Sequence, residues 1–382
     1  MSTKVALIHD WLVANAGAEK VLAAIHELYP QAPVYTLVSD PRAVAELDLD
    51  GLVRNSFLQR WPQATKRYQA YLPFMPFAVE QFDLREYEVI ISSSHAVAKG
   101  AMTRADQLHI AYIHTPVRYA WDLYYEYLRE ARLTKGLKAF LARVVLHYLR
   151  LWDRVSADRV DYLVANSHYV ARRVWKTWRR EADVIYPPVD ISRFRCAPAK
   201  GDYFLSAGRL VAYKKVDVVV EAFNSLKLPL VVIGEGPELE RLKRVAGPNI
   251  TFLGRQPDEV VADYMARARA LVFAADEDFG IVPVEVQAAG TPVIAYGKGG
   301  VRETVIGVSE EIAPEEATGL FFYEQAPEAV AEAVRRFLKL EGRFRPGVLR
   351  SNSERFSRER FLREFGDYVS RKWEEFAGAR RG

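Results

Sequence analysis

At 382 residues the chain is longer than one hydrophobic core usually grows, so two domains are the default. Half of it is hydrophobic and 27% is charged, with a formal net charge of +4 whose signs are mixed along the chain, which gives no footprint for nucleic acid. The single cysteine, Cys196, excludes an internal disulfide and a cysteine-based metal cluster and fits a reducing compartment.

The strand-like run Lys4 to Ile8 comes almost at once, with no signal-peptide pattern before it. No apolar stretch reaches the ~20 residues that span a bilayer. The expectation is a cytoplasmic protein that meets the inner face of the cell membrane at most peripherally. Val5-Ala6-Leu7-Ile8 lacks alternation, as a strand buried on both faces should. It runs through His9-Asp10-Trp11-Leu12 and a turn with Gly17-Ala18-Glu19 into a helix carrying Val21, Leu22, Ile25 and Leu28 at helical spacing. Further strands are expected at Val34–Val38, Val89–Ser92, Leu108–Ile113 and Tyr162–Ala165, with crossover helices between them.

Two stretches of this half are basic and aromatic. Phe57–Phe82 is broken by Pro62, Pro73 and Pro76, and Leu133–Leu151 carries Lys135, Lys138, Arg143 and Arg150 with no acidic residue. Such segments dock on anionic membranes, or form a core-facing helix with a solvated basic side; both readings stay open.

Tyr186-Pro187-Pro188-Val189-Asp190 reads as a linker, because two prolines forbid helix and favour extension. The pattern then restarts with strands at Tyr203–Ser206, Leu230–Ile233, Ile250–Leu253, Ala270–Ala275 and Pro292–Ala295 and helices at Val216–Phe223 and Leu239–Val245. This predicts a second doubly wound domain. Ser357–Phe376 reads as one amphipathic helix with Phe361, Phe365, Tyr368 and Trp373 on one side.

The stretch Phe273 to Glu285 carries most of the chemistry. The strand Ala270–Ala275 runs into an acidic turn that holds Glu277, and a helix is expected to start at Pro283, with Glu285 in its first turn. The N–H groups of Gly280, Ile281 and Val282 then point at a common space suited to an anion. A phosphate-sized anion flanked by two hydroxyl-binding carboxylates suggests a sugar nucleotide. Arg209 and Lys214, after Ser206-Ala207-Gly208, fall at the carboxyl end of the same sheet and can neutralise a diphosphate without metal. Ile233-Gly234-Glu235-Gly236-Pro237 and Gly297–Gly300 are further strand-to-turn junctions. Each alone is explained by ordinary turn chemistry or solvation, and only their convergence points to a site. In the first half, His114 ends a strand ahead of Thr115-Pro116-Val117-Arg118-Tyr119-Ala120-Trp121. It could donate a hydrogen bond to a sugar hydroxyl, or cap a helix or pack in the core. No His/Asp/Glu spacing forms a metal site, and neither a Gly-x-Ser-x-Gly elbow nor a Walker A sequence occurs.

These residues resemble the retaining family-4 glycosyltransferases of GT-B fold. The signature is the Glu-x7-Glu pair, Glu277 and Glu285, supported by Gly208-Arg209-Leu210 with Lys214, Gly234-Glu235-Gly236-Pro237 and Phe252-Leu253-Gly254-Arg255. His9-Asp10-Trp11-Leu12, Gly17-Ala18-Glu19 and His114–Tyr119 are most similar to bacterial mannosyltransferases of O-antigen and exopolysaccharide assembly. The resemblance implies two α/β Rossmann-like domains facing across a cleft: 1–188 for the acceptor, joined by the C-terminal helix 357–382, and 189–356 for the nucleotide sugar.

The resemblance also implies roles. Arg209 and Lys214, joined by Lys215, hold the donor diphosphate; Glu285 binds the ribose; Glu277 and the Phe279, Gly280, Ile281 and Val282 backbone contact hexose and phosphate. Gly208, Glu235, Gly236 and Arg255 complete the donor site, with Arg255 near the base. Gly17 lets backbone approach the donor or acceptor, His114 sits by the hexose, and Arg118 and Trp121 meet the acceptor. The catalytic set is His114, Arg209, Lys214 and Glu277, with no metal or organic cofactor. The donor would be GDP-mannose and the acceptor a polyprenyl-diphosphate-linked saccharide. The alternatives are another UDP- or GDP-sugar with a soluble acceptor, or a non-catalytic nucleotide-sugar-binding protein. Two positions depart from the pattern: Ala16 replaces one of a glycine pair, and Lys215 stands where glycine is common.

Overall fold

The computed structural model describes residues 3–379, which form two compact units. The first comprises Met1–Pro188 with Phe361–Gly382, the second Val189–Arg360.

The first unit is built on a seven-stranded parallel sheet of β1 (Val5–His9), β2 (Val34–Thr36), β3 (Val53–Asn55), β4 (Val89–Ser94), β5 (Leu108–Ile113), β6 (Tyr162–Ala165) and β7 (Asp183–Val184). The order is β3-β2-β1-β4-β5-β6-β7. β4 and β5 are buried along their whole length, which is why they read as unbroken apolar or small-residue runs. Crossovers reverse direction between β1 and β4, so their carboxyl ends, His9 and Ser93–Ser94, flank the switch point where open sheets of this type bind ligands. Helix α1 (Gly17–Leu28) follows β1 and buries Val21, Leu22 and Ile25.

Helix α2 (Leu137–Ala157) buries Leu146, Leu149 and Trp152 on one side. Its opposite side is apolar as well: Leu137, Phe140, Leu141, Val144, Tyr148, Leu151 and Val155 are all exposed, at i, i+3 and i+4 spacing. Of the two readings left open, the outward side is thus mainly apolar, with Lys138 exposed as well. Arg143 and Arg150 instead turn to backbone carbonyls, on Ala139 and Leu133 and on Ala120. No helix among the described residues is long and apolar enough to cross a membrane.

The second unit repeats the scheme with β8 (Phe204–Ala207), β9 (Leu230–Ile233), β10 (Ile250–Gly254), β11 (Leu271–Phe273), β12 (Val293–Tyr296) and β13 (Gly319–Phe322), ordered β10-β9-β8-β11-β12-β13. Its switch point lies between β8 and β11. Helices α3 (Val216–Leu226), α4 (Ile281–Ala288) and α5 (Pro327–Leu340) cover the sheet, with Phe204, Phe223 and Phe337 fully buried between them. The last helix, α6 (Arg358–Ala379), joins the first unit from Phe361 onward. Phe361 and Phe365 are fully buried with ring centroids 5.8 and 6.0 Å from Tyr112, and the Tyr368 hydroxyl donates to Asp183 at 2.8 Å.

Three strands escape the sequence pattern. β3 is a half-exposed edge strand containing Arg54, β7 has two residues, and β13 starts at a glycine.

Candidate functional site

In the second unit the carboxyl ends of β8 and β11 open a small pocket between Ser206–Arg209, Lys214 and Phe273–Ala275. Arg209 is exposed at its rim. Lys214 is half-buried, and its ammonium pairs with the Glu277 carboxylate. Two groups expected on separate loops are thus joined, one from the β8–α3 connection and one from the β11–α4 connection. Lys215 follows in a left-handed conformation at φ 56°, directly ahead of α3. That conformation explains why glycine suits the position.

Helix α4 starts at Ile281, two residues before the expected Pro283, with Gly280 as its cap in the left-handed region at φ 89°. Pro283 is the third helical residue, where its missing N–H still costs nothing. The first-turn N–H groups of Gly280, Ile281 and Val282 have no acceptor within the helix, as an anion site requires. Glu285 is consequently in the second turn rather than the first. It is buried, and its Oε1 accepts from Arg193 at 3.0 Å, while the other arm of Arg193 reaches Asp258 at 2.5 Å. Arg193 was invisible to the motif reading, since only the fold brings a residue just past the proline linker to α4. Phe279, expected to act through its backbone, has a buried ring 5.4 Å from that of Phe356. Gln287 locks the helix from behind by donating to the carbonyls of Pro283 and Thr304 at 2.8 and 2.9 Å.

The glycine turns are explained by close backbone approach. A Cβ on Gly234 would overlap the Gly208 carbonyl, and one on Gly236 the Leu210 carbonyl. Gly300 packs against Asp278 and Phe279 in the same way, and its N–H donates to the Glu277 carbonyl at 2.8 Å. The loops after β8, β9, β11 and β12 therefore nest on one another at one end of the sheet. Glu235 and Arg255 are exposed there.

The first unit gathers a second polar cluster at its own switch point. Asp10, fully buried, accepts N–H bonds from His95, Ala96, Val97 and Ala98 at 2.6 to 3.0 Å. Burial pushes its carboxyl up, but the charges of His95 and His9 and these N–H bonds outweigh that and hold it below the usual carboxylate range. His114 is half-buried just beyond β5, with Nε2 2.8 Å from Ser93 Oγ. Burial, with His95 and His9 close by, pushes its imidazole down to about 3, so it is neutral at pH 7. Ser93 Oγ also lies 3.2 Å from His9 Nδ1, and His9 Nε2 faces Glu19 at 3.8 Å.

Gly17 is the first residue of α1 rather than part of a loop, and Ala16 before it is extended at φ −124°, a conformation alanine adopts without strain. The Ala16 N–H donates to Glu19 at 3.2 Å. Arg118 is half-buried in the turn after β5. Trp121 spends its ring N–H on buried Asp153 at 2.8 Å, beside the Lys99–Asp153 ion pair at 2.6 Å, so that N–H is not free for a saccharide.

Residues 190–356 match the family model of the glycosyl transferases group 1. The GDP-mannose-dependent alpha-(1-6)-phosphatidylinositol monomannoside mannosyltransferase of Mycobacterium tuberculosis is 32% identical over 220 residues, 48% of this chain and 54% of that protein. The D-inositol 3-phosphate glycosyltransferase of Mycobacterium leprae is 31% identical over 185 residues, 41% of this chain and 43% of that protein. The chain thus spans about half the length of these curated relatives. In fold it is similar to Anabaena HepE in complex with UDP-glucose, with a TM-score of 0.68 at 19% identity over 97% of this chain and 100% of that one. Residues 190–356 are accordingly similar to the glycosyl transferases group 1, within a chain of GT-B fold.

Proposed function

We propose that the chain is a retaining glycosyltransferase that moves mannose from GDP-mannose to a polyprenyl-diphosphate-linked saccharide in bacterial surface polysaccharide synthesis. The observation that carries this is the convergence of Arg209, the Lys214–Glu277 pair and the α4 N-terminus at the switch point of the second sheet. Cations and free N–H groups suit a diphosphate, and the carboxylates of Glu277 and Glu285 suit sugar hydroxyls. The choice of mannose is supported by similarity to a GDP-mannose-dependent enzyme over 48% of this chain.

Retention commonly uses a carboxylate nucleophile in a double displacement. Here Glu277 is committed to Lys214, which favours positioning over nucleophilic attack. The reading is a same-face substitution in which the leaving diphosphate takes the proton of the acceptor hydroxyl. Arg209, Lys214 and the Gly280–Val282 amides stabilise the departing charge. Donor binding exchanges Glu277 for phosphate at Lys214 and frees Glu277 for the hexose. Glu285, held by Arg193 through Oε1, offers its remaining lone pairs to the ribose. The reaction uses no metal or organic cofactor.

The acceptor's lipid is accommodated by contact with an anionic membrane. The exposed apolar stripe of α2 supports this, together with the absence of any acidic residue from Leu133 to Trp152.

Arg209→Ala and Lys214→Ala should each lower transfer by about a hundredfold or more, as removal of a charge-stabilising donor does elsewhere, with unchanged circular dichroism. Near wild-type turnover in either variant would remove the diphosphate assignment.

A further inference from the structure

Helix α4 is buried from Pro283 to Ala288, and Glu285 is the one carboxylate in that stretch. A carboxylate in such surroundings is costly unless it is paired. Arg193 pairs with it at 3.0 Å, from 92 residues earlier in the chain. Buried ion pairs add little net stability, because both charges give up water, so the pair is better explained by where it holds the carboxylate than by what it adds to the fold. Arg193 is itself held on several sides. Its second arm reaches the exposed Asp258 at 2.5 Å, and its guanidinium lies 4.8 Å from the centre of the buried Phe194 ring. The Phe194 carbonyl accepts from Arg350 at 2.9 Å, and the same Arg350 nitrogen donates to the Ala288 carbonyl at 3.1 Å. Ala288 stands three residues after Glu285, on the same side of α4. The segment that carries Arg193 is therefore fastened along α4 at two points about one turn apart, all within the second unit. A planar guanidinium fixed in this way sets the direction of the carboxylate it grips.

We propose that Arg193 is a positioning residue that orients Glu285 towards the ribose hydroxyls and so sets the preference for a ribonucleotide over one that lacks them. This rests on the proposed placement of Glu285 at the ribose. An ionised carboxylate only accepts hydrogen bonds, and one gripped through Oε1 cannot swing to follow a ligand. Ribose hydroxyls meet it as donors, whereas a nucleotide without them leaves a buried acceptor unmatched. Arg193 acts through Glu285, and no covalent step is involved.

The test is calorimetric Kd on the full chain for GDP, or UDP where that binds more tightly, against its 2′,3′-dideoxy analogue. The readout is the ratio of the two. The wild type should prefer the ribonucleotide by about tenfold or more, the worth of hydrogen bonds to a charged acceptor. Arg193→Met should bring the ratio to within about threefold of one, with the affinity for the dideoxy nucleotide nearly kept. A merely structural role would weaken both nucleotides together and leave the ratio as it was. The ratio is read on one sample and does not depend on the fraction folded. Should Arg193→Met not fold at all, Arg193→Gln, which loses the charge and the second arm, carries the same expectation. A wild-type ratio in the variant overturns the proposal. Glu285→Gln separates it from the reading beneath it. If the ratio collapses there but survives in Arg193→Met, Glu285 stays at the ribose and the role of Arg193 falls. If the ratio survives in Glu285→Gln, or is near one in the wild type, the ribose placement falls and the proposal with it.

Discussion

Lys215 pays a backbone cost at φ 56°, because a left-handed conformation brings the Cβ of an L-residue against its own carbonyl. Relief of that strain, less the extra freedom glycine gains in the unfolded chain, should make Lys215→Gly about 0.5–1 kcal/mol more stable. Chemical denaturation of the two proteins checks this, and a lower midpoint for the glycine variant would contradict it. If the side chain also meets the donor diphosphate, transfer falls in the same variant, though by less than in Lys214→Ala. Residue roles that depend on local motif were legible in the chain, as with Lys214, Glu277 and the glycines that let loops nest. Arg193 and Ser93 were not. Their partners lie 92 and 21 residues away, and nothing in spacing or composition marks such tertiary pairs.

At the scale of the element, strands were legible where burial on both faces removes alternation, as in β5, β6 and β9. Edge strands such as β3 lacked that signal. The start of α4 was misplaced because proline suits any position of a first turn, so Pro283 alone does not fix which one. For α2 the sequence showed amphipathicity without saying which face looks outward. Its outward stripe, from Leu137 at 73% exposed to Val155 at 60%, leads to a direct expectation. The protein should co-sediment with anionic liposomes at low salt, and a double Phe140→Ser, Leu141→Ser variant should lose most of that binding. No sedimentation of the wild type at low salt would leave the stripe without a membrane role.

The two units differ as whole bodies in how they respond to acid. All seven histidines, and all seven tryptophans, lie in the first unit. Burial pushes His109 down to about 3, and His114 likewise, with His95 and His26 also below their ordinary value. The unfolded chain therefore takes up these protons first as pH falls through about 6.5, while the folded chain does not, so stability falls with pH from there towards 3. Fully buried His109 alone accounts for about 1.4 kcal/mol per pH unit over that window. Tryptophan fluorescence, which reports only on the first unit, should show its urea midpoint drop between pH 7 and pH 5. His109→Gln should reduce the slope, and an equal slope in that variant would count against the buried neutral imidazole. The central claim concerns the second unit's switch point, where Arg209, Lys214, Glu277 and α4 are read as a site for a nucleotide diphosphate sugar whose sugar is transferred. Its most direct measurement is nucleotide release by the purified protein from GDP-mannose, UDP-glucose, UDP-N-acetylglucosamine and GDP-fucose side by side. GDP release from GDP-mannose, lost in Lys214→Ala, is the predicted result; binding without release from any of the four would contradict it.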